Sequence, residues 1–223
     1  MAELSVEPQL PERAGFRLSS AVARPPLQVG SGLTLLLGGA RSGKSDLAVE
    51  TAKQWSGQVA FVATAEALDE DMADRISAHK QDRPESWDLI EAPRLNVSDV
   101  ANLDDTSLVI VDCLTVLASN LLLSGLTESQ VITHIDAVAA DLALRHPPTL
   151  MISNEVGMGV HPATKLGSRY RDTLGRVNVA VARHALVVAL VLAGRVLPLA
   201  DLELRADSER LATQMPKGSN DDF

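Results

Sequence analysis

Apolar and polar positions along the chain alternate between two kinds of segment. Five short, nearly continuous aliphatic runs have the length of strands, and longer amphipathic stretches separate them. The runs cover residues 33–37, 58–63, 107–112, 149–153 and 185–192. The stretches predict helices over about 44–55, 69–81, 113–123, 127–145 and 163–184. Because strands that are apolar on both faces are typical of parallel sheets covered by helices, we expect an α/β fold with right-handed crossovers.

The two ends of the chain differ from this central region. Residues 1–31 contain four prolines and no sustained periodicity, and residues 205–223 are polar and end in "KGSNDDF". We therefore expect a flexible N-terminal extension over 1–31, a single domain over 32–204 and a polar tail over 205–223. With 223 residues, the chain can form one substantial core and requires no second domain.

The stretch "GGARSGKSDLA" begins at Gly38, directly after the first predicted strand. It satisfies the pattern GxxxxGK[ST], and a predicted helix starts near Lys44, which is the context that a phosphate-binding P-loop requires. Backbone N–H groups of such a loop point into one concavity, and the positive end of the helix adds to the field on an anion. The alternative is a glycine-rich turn that only starts a helix. We predict a nucleotide-binding loop made of Gly38, Gly39, Ala40, Arg41, Ser42, Gly43, Lys44 and Ser45.

The third predicted strand ends in an acidic residue. A magnesium-bound triphosphate requires such a carboxylate near the P-loop. In "LVIVDC", four apolar residues precede Asp112, which is placed to orient the Mg²⁺ shell together with the hydroxyl of Ser45. The alternative is that Asp112 acts as the N-cap of the next helix. The two motifs predict a P-loop NTPase (RecA-like) domain, with a mostly parallel sheet flanked by helices.

Composition excludes several classes of function. A formal net charge of −9 and a pI of about 5.0 argue against a nucleic-acid binder. A single cysteine, Cys113, excludes an intramolecular disulfide and fits a reducing cytoplasm. The apolar run over 185–193 is far shorter than the roughly 20 residues that span a bilayer. We expect a soluble cytoplasmic protein without a membrane span.

The stretch "DEDMADRISAHKQDRPESWDLIEAP", which starts at residue 69, places a histidine among basic residues. His79 lies one helical turn beyond Arg75, and Lys80 and Arg83 are close by. Nearby cations lower the pKa of an imidazole and favour its neutral, nucleophilic form. The alternative interpretation is a solvated histidine on an exposed helix.

Several motifs in this order resemble one enzyme family. "GGARSGKS", RIxxHxxxRP (75–84), "IVDCLT", "SNEVGMGVHP" and "YRDTLGRVN" are similar to motifs of the bifunctional adenosylcobinamide kinase / adenosylcobinamide-phosphate guanylyltransferases of cobalamin biosynthesis. The similarity runs from about residue 33 to 199. A P-loop alone occurs in many unrelated proteins, whereas RIxxHxxxRP together with NEVGMG (154–159) is much more selective.

The resemblance implies two reactions at one P-loop. In the family, the γ-phosphate of ATP or GTP is transferred to adenosylcobinamide, and GMP from GTP is then attached to that phosphate. The second reaction passes through a GMP-histidine, for which His79 is the matching residue, and pyrophosphate leaves. Lys44 is then expected to stabilise developing phosphate charge in both steps. The family is homotrimeric, so the resemblance also implies a homo-oligomer.

Further nucleotide contacts are expected beyond the P-loop. Residues 63–65 follow the second strand, at the carboxyl edge where ligands of open α/β sheets bind. The carboxylate of Glu91 is suited to accept hydrogen bonds from guanine; a solvated loop acid is the alternative. Arg41 and Arg83 are candidates to neutralise phosphate charge, with surface ion pairs as the alternative. The three residues of 63–65 are Ala63, Thr64 and Ala65.

Candidates for the substrate side follow the fourth predicted strand. Asn154 and Glu155 present polar atoms there, and a purely structural glycine turn is the alternative. In the next helix, Arg169 and Arg171 are candidates for the corrinoid phosphate, or form ion pairs on a solvated face. His161 and the segment "GRVNVAVA" (175–182), which lacks a glutamine after its asparagine, depart from the family pattern.

Two other classes of function stay open from the sequence. One is a P-loop kinase for another small hydroxyl substrate, which would make no covalent intermediate. The other is a nucleotide-dependent binding module, in which the P-loop switches conformation without transferring phosphate to a metabolite.

Overall fold

A computed structural model describes residue 27 and residues 29–66 and 84–199, which form a single seven-stranded sheet with helices on both faces. The strands are β1 (Leu33–Leu37), β2 (Val59–Ala63), β3 (Asp88–Glu91), β4 (Leu108–Asp112), β5 (Thr149–Ile152), β6 (Ala185–Leu192) and β7 (Arg195–Leu199). The helices are α1 (Lys44–Ala52), α2 (Val97–Ala101), α3 (Leu114–Leu123), α4 (Glu128–Ala143) and α5 (Lys165–Ala182).

The strands lie in the order β3-β2-β4-β5-β1-β6-β7. All neighbours are parallel except β7, which runs antiparallel to β6. The strand β5 therefore separates β1, which leads into the P-loop, from β4, which ends in the acidic residue. The prediction of a mostly parallel α/β sheet of the P-loop NTPase type is confirmed.

The core consists of two layers, one on each face of the sheet. Successive side chains of a strand point to opposite faces, so Leu35 packs with Ile135 of α4 while Leu36 packs with Leu47 of α1. Helices α3, α4 and α5 cover the first face, and α1 covers the second. The aliphatic runs are apolar at consecutive positions because both faces of the central strands are buried.

Local sequence signals set where the two long helices begin. Thr127 and Gln130 form a capping box at the start of α4, and the hydroxyl of Thr164 accepts the N–H of Gly167 at the start of α5. These side chains satisfy backbone N–H groups that have no partner within the helix.

The register places five strand ends along one edge of the sheet. Ala63 pairs with both Glu91 and Asp112, and Ile152 pairs with both Asp112 and Leu36. Because the P-loop follows β1 at this same edge, the predicted nucleotide contacts share one side of the molecule.

Within the described residues, three elements were not predicted from the sequence. These are β3, β7 and the short helix α2. The five predicted strands are confirmed, and four predicted helices are present with slightly shorter bounds. The predicted helix over 69–81 lies outside the described residues. Among the described helices, none is both long enough and apolar enough to cross a membrane.

Candidate active site at the carboxyl edge of the sheet

Backbone conformation explains why glycines open and close the P-loop. Gly43, the N-cap of α1, has a φ of 95°, a value that side chains with a Cβ disfavour. A Cβ on Gly38 would clash with the carbonyl oxygen of Val191 in β6. Arg41 adopts a φ of 56° without being a glycine. The sequence pattern therefore corresponds to a loop that is tightly curled and closely packed against the sheet.

Backbone contacts from two other segments hold this loop in place. The N–H of Glu155, after β5, donates to the carbonyl of Gly38 at 3.0 Å. The N–H of Gly194, in the turn between β6 and β7, donates to the carbonyl of Ser42 at 3.0 Å. The conformation of the loop is therefore supported by both neighbouring strands, β5 and β6.

The side chain of Lys44 lies over its own loop. It is 6% exposed, and its Nζ donates to the carbonyls of Gly38 (3.1 Å) and Gly39 (2.7 Å) and to Oγ of Ser42 (3.3 Å). Burial lowers the pKa of Lys44, and the negative charge of Asp112 opposes that shift. Two carbonyls and one hydroxyl thus hold this cation against the loop that is predicted to bind phosphate.

The two predicted magnesium ligands, Asp112 and Ser45, lie at the ends of two elements. Asp112 is the last residue of β4 and is partly exposed, and Ser45 is the second residue of α1 and also partly exposed. The N-cap residue of α3 is Cys113 and not Asp112. Burial raises the pKa of the Cys113 thiol to about 11, so this thiol is neutral at physiological pH.

Thr64 joins the ends of two strands and has little polar capacity left for a ligand. Thr64 is fully buried. Its hydroxyl donates to the carbonyl of Cys113 at 2.8 Å and accepts the N–H of Cys113, also at 2.8 Å. Asn120 donates to the carbonyl of Thr64 at 2.9 Å. Ala63 and Ala65, on either side, are partly exposed. Nucleotide contact by residues 63–65 stays a prediction.

Glu91 lies at the same edge but far from the P-loop along it. The strand order separates β3 from β1 by four strand spacings, which is about 19 Å at the usual distance between strands. Glu91 and Glu66 line a cavity of about 540 Å³ beside α2, together with Arg94 and Asn96. The structure therefore does not bring Glu91 next to Lys44, and guanine recognition by Glu91 stays a prediction.

Asn154 and Glu155 follow β5 between the P-loop strand and β4. The carbonyl of Asn154 accepts from Nδ2 of Asn178 at 3.1 Å, and its N–H donates to Oγ1 of Thr115 at 2.8 Å. The carboxylate of Glu155 accepts the N–H of Gly157 at 2.8 Å. The sequence did not single out Thr115 or Asn178 as site residues. Their only local signal was that "IVDCLT" and "GRVNVAVA" belong to the family motifs.

The two candidate arginines of α5 bond to acidic side chains. Nε of Arg169 donates to Glu128 of α4 at 3.0 Å, and Arg171 donates to Asp172 at 2.8 Å. These contacts match the ion-pair alternative, and exposed pairs of this kind contribute about 0–1 kcal/mol. Binding of a corrinoid phosphate by these arginines stays a prediction.

The proposed nucleophile, His79, lies outside the described residues, as do Arg75, Lys80 and Arg83. The segment that carries them connects Glu66 to Pro84, so both of its ends lie next to β2 and β3. Their roles stay predictions.

The sheet order, the P-loop after β1 and the carboxylate at the end of β4 define a nucleotide-binding protein of the P-loop class. A family model described as cobinamide kinase / cobinamide phosphate guanyltransferase matches residues 34–199. The chain belongs to this family.

Curated relatives cover most of the chain. It is 34% identical over 175 residues to the bifunctional adenosylcobalamin biosynthesis protein CobU of Escherichia coli. The aligned region covers 73% of this chain and 96% of that protein. The chain is 35% identical over 166 residues to CobP of Pseudomonas aeruginosa, with 74% and 95% covered. Among solved structures, a KaiC-like protein from Pyrococcus horikoshii OT3 has a TM-score of 0.45 and 15% identity, with 72% of this chain and 71% of that chain covered.

Proposed function

We propose that this chain phosphorylates adenosylcobinamide with ATP or GTP and then transfers GMP from GTP to the product, giving adenosylcobinamide-GDP and pyrophosphate. The observation that carries the proposal is a complete P-loop at the same sheet edge as Asp112, in a chain that matches the family over residues 34–199. The names of the relatives, which are bifunctional proteins of adenosylcobalamin biosynthesis, support two activities in one chain.

In the first reaction, the P-loop binds the triphosphate and Lys44 contacts its outer phosphates. The Nζ of Lys44 exchanges the carbonyls of Gly38 and Gly39 for phosphate oxygens. The oxygen of the substrate hydroxyl forms a bond to the γ-phosphorus, the bond to the bridging β–γ oxygen breaks, and the hydroxyl proton is released. The cation then stabilises charge on the transferring group and on the departing diphosphate.

The residues at this edge also fit a magnesium ion. A serine hydroxyl and a carboxylate are hard oxygen donors, and Mg²⁺ in such sites usually takes one or two protein ligands besides water and phosphates. Ser45 and Asp112 would hold it, and when bound it neutralises charge on the β- and γ-phosphates. Both residues are partly exposed, so they are accessible to an ion that arrives with the nucleotide.

In the second reaction, the neutral imidazole of His79 attacks the α-phosphorus of GTP and pyrophosphate leaves. An oxygen of the substrate phosphate then attacks the same phosphorus, the bond to histidine breaks, and the imidazole is regenerated. The support for this step is the motif RIxxHxxxRP and the basic residues around it.

The deciding experiment incubates the purified protein with Mg²⁺ and GTP labelled at the α-phosphate, followed by denaturing separation. We expect label on the wild type that is acid-labile, as a phosphoramidate is, and none on His79→Ala. The matched control is His146→Ala, because His146 is exposed and lies near the amino end of β5, at the edge of the sheet opposite the P-loop. A folded, GTP-binding wild type that takes no label would contradict the guanylyl step.

The kinase step has its own assay. Transfer of label from γ-labelled ATP to adenosylcobinamide is expected from the wild type and from His79→Ala, but not from Lys44→Met or after removal of Mg²⁺ with EDTA. Transfer by the Lys44→Met variant at the wild-type rate would contradict the role given to the P-loop. Equilibrium sedimentation of the same samples measures the oligomeric state, for which we expect a trimer.

A further inference from the structure

The residues that follow β5 pair with a strand on one side only. On the other side, side chains of two helices hold them in place. We call residues 153–155 the β5 extension. On the β1 side, it continues the backbone pairing of the sheet: the N–H of Ser153 donates to the carbonyl of Leu36 at 2.9 Å, and that of Glu155 to the carbonyl of Gly38 at 3.0 Å. The extension therefore runs beside the P-loop at its first glycine.

On its other side, the extension has lost its strand partner. The last pair between β4 and β5 joins Asp112 to Ile152, and the chain turns into α3 after that pair. The backbone groups of Asn154 find substitutes in two helices, since its N–H donates to Oγ1 of Thr115 and its carbonyl accepts from Nδ2 of Asn178. Two side chains thus replace the hydrogen bonds that a strand would make.

Asn178 is itself fixed through its side chain, and Thr115 through its backbone. Asn178 is 5% exposed, and its Oδ1 accepts the hydroxyl of Ser153 at 2.6 Å. Thr115 is bound at its carbonyl by the hydroxyl of Tyr170, at 3.1 Å. Burial raises the pKa of Tyr170, so this phenol stays protonated and keeps its donor role across the working pH range. The hydrogen bonds thus connect α3, α5 and the extension into one network.

We infer that Thr115 and Asn178 are positioning residues for phosphoryl transfer, which they serve by fixing the β5 extension between the P-loop and Asp112. The inference rests on the proposed function, because the extension lies at the carboxyl edge between the P-loop and the end of β4, where ligands of open α/β sheets bind. The P-loop has further support from Gly194. Loss of the network is therefore expected to disturb acceptor alignment more than nucleotide binding.

The test compares two substitutions of Thr115 that differ in whether the hydrogen-bond acceptor is kept. Thr115→Val keeps the shape but removes the acceptor for the N–H of Asn154, whereas Thr115→Ser keeps that acceptor. For Thr115→Val we expect a kcat for adenosylcobinamide phosphorylation at least about tenfold lower, since small misplacements of reacting groups cost this much or more. The KM for ATP stays within about twofold of wild type, and Thr115→Ser recovers most of the rate.

Two further variants separate positioning from general destabilisation. Asn178→Asp keeps the acceptor for Ser153 but places a carboxylate against the carbonyl of Asn154, and we expect the same loss of kcat. Thr173→Val is the matched control, because Thr173 is equally buried on the same helix and its hydroxyl has no hydrogen-bond partner among the described residues. It is expected to leave kcat and KM unchanged.

Hydrogen exchange of the backbone tests the network without any substrate. We expect faster exchange over residues 153–157 in Thr115→Val and wild-type exchange in α4. Unchanged kcat together with unchanged exchange would overturn the inference and leave the proposed function intact. A wild type that does not phosphorylate adenosylcobinamide overturns the proposed function instead, and exchange alone then decides whether the network fixes the extension.

Discussion

Removing the hydroxyl of Thr64 should destabilise the domain without directly removing a nucleotide contact. This hydroxyl makes two hydrogen bonds of 2.8 Å with the backbone of Cys113, one as donor and one as acceptor. Thr64→Val preserves the volume but leaves both backbone groups without this partner. Each such bond contributes about 1 kcal/mol, so we expect a loss of about 2 kcal/mol, rising towards about 4 kcal/mol if both groups stay unsatisfied.

Thr64→Ser provides the comparison that isolates these bonds. It keeps the hydroxyl and removes a buried methyl group, which costs about 1 kcal/mol. Urea denaturation of the three proteins, followed by circular dichroism, measures the free energies of unfolding. Thr64→Val should therefore be clearly less stable than Thr64→Ser.

Nucleotide affinity tests the nucleotide contact that the sequence predicted for Thr64. It is measured at a urea-free condition in which each variant is folded. We expect the dissociation constant for GTP to stay within about threefold of wild type in both variants, because the hydroxyl is already bonded to the protein. A Thr64→Val protein as stable as wild type but unable to bind GTP would refute this account. Thr64 would then be a ligand-binding residue.

Two other predictions concern groups packed around the P-loop. Gly38→Ala should lower GTP affinity by at least about tenfold, because the added Cβ would meet the carbonyl of Val191 and must displace the loop. Isothermal titration calorimetry measures this affinity, and a wild-type value would contradict the close packing of Gly38 against β6. Cys113, whose pKa is raised from 9.0 to about 11, should have about a hundredfold less thiolate than an ordinary cysteine at pH 8. Iodoacetamide labelling followed by mass spectrometry should be slow in the native protein and fast in urea, and equal rates would show that the thiol is not protected.

The central strands were predictable because their sequence signal is strong and local. The runs that contain Leu36, Ile110 and Leu150 are apolar on both faces, and burial on both faces of a parallel sheet produces this pattern. The P-loop was equally predictable, since all of its residues are contiguous.

The missed elements lie where this signal is weak. Strand β3 is only four residues long and mostly exposed at one edge of the sheet, so it has no apolar run. Strand β7 contains Pro198, which normally argues against a strand but is tolerated on an edge. Helix α2 is five residues long, although the capping box of Asn96 and Asp99 was a usable signal.

The network around the β5 extension was not predictable for a different reason. Thr115 and Asn178 meet Asn154 across large separations in sequence, and each belongs to a different helix. A threonine or an asparagine in a helix carries no sign of such a distant partner. Only the arrangement of the helices over the sheet shows which backbone groups these side chains satisfy.

The contacts of Val191 and Gly194 with the P-loop have a consequence for the order of events during synthesis. The sequence of the loop is complete once Ser45 has been added, but the β6–β7 turn that bonds to it lies near the other end of the described chain. Contacts between such distant parts of a chain are slow to form, and a nascent chain that ends before β6 carries the motif without the support of β6 and the β6–β7 turn. A nucleotide that binds the P-loop best when the β6–β7 turn supports it stabilises the fully folded sheet, because a ligand stabilises the state to which it binds.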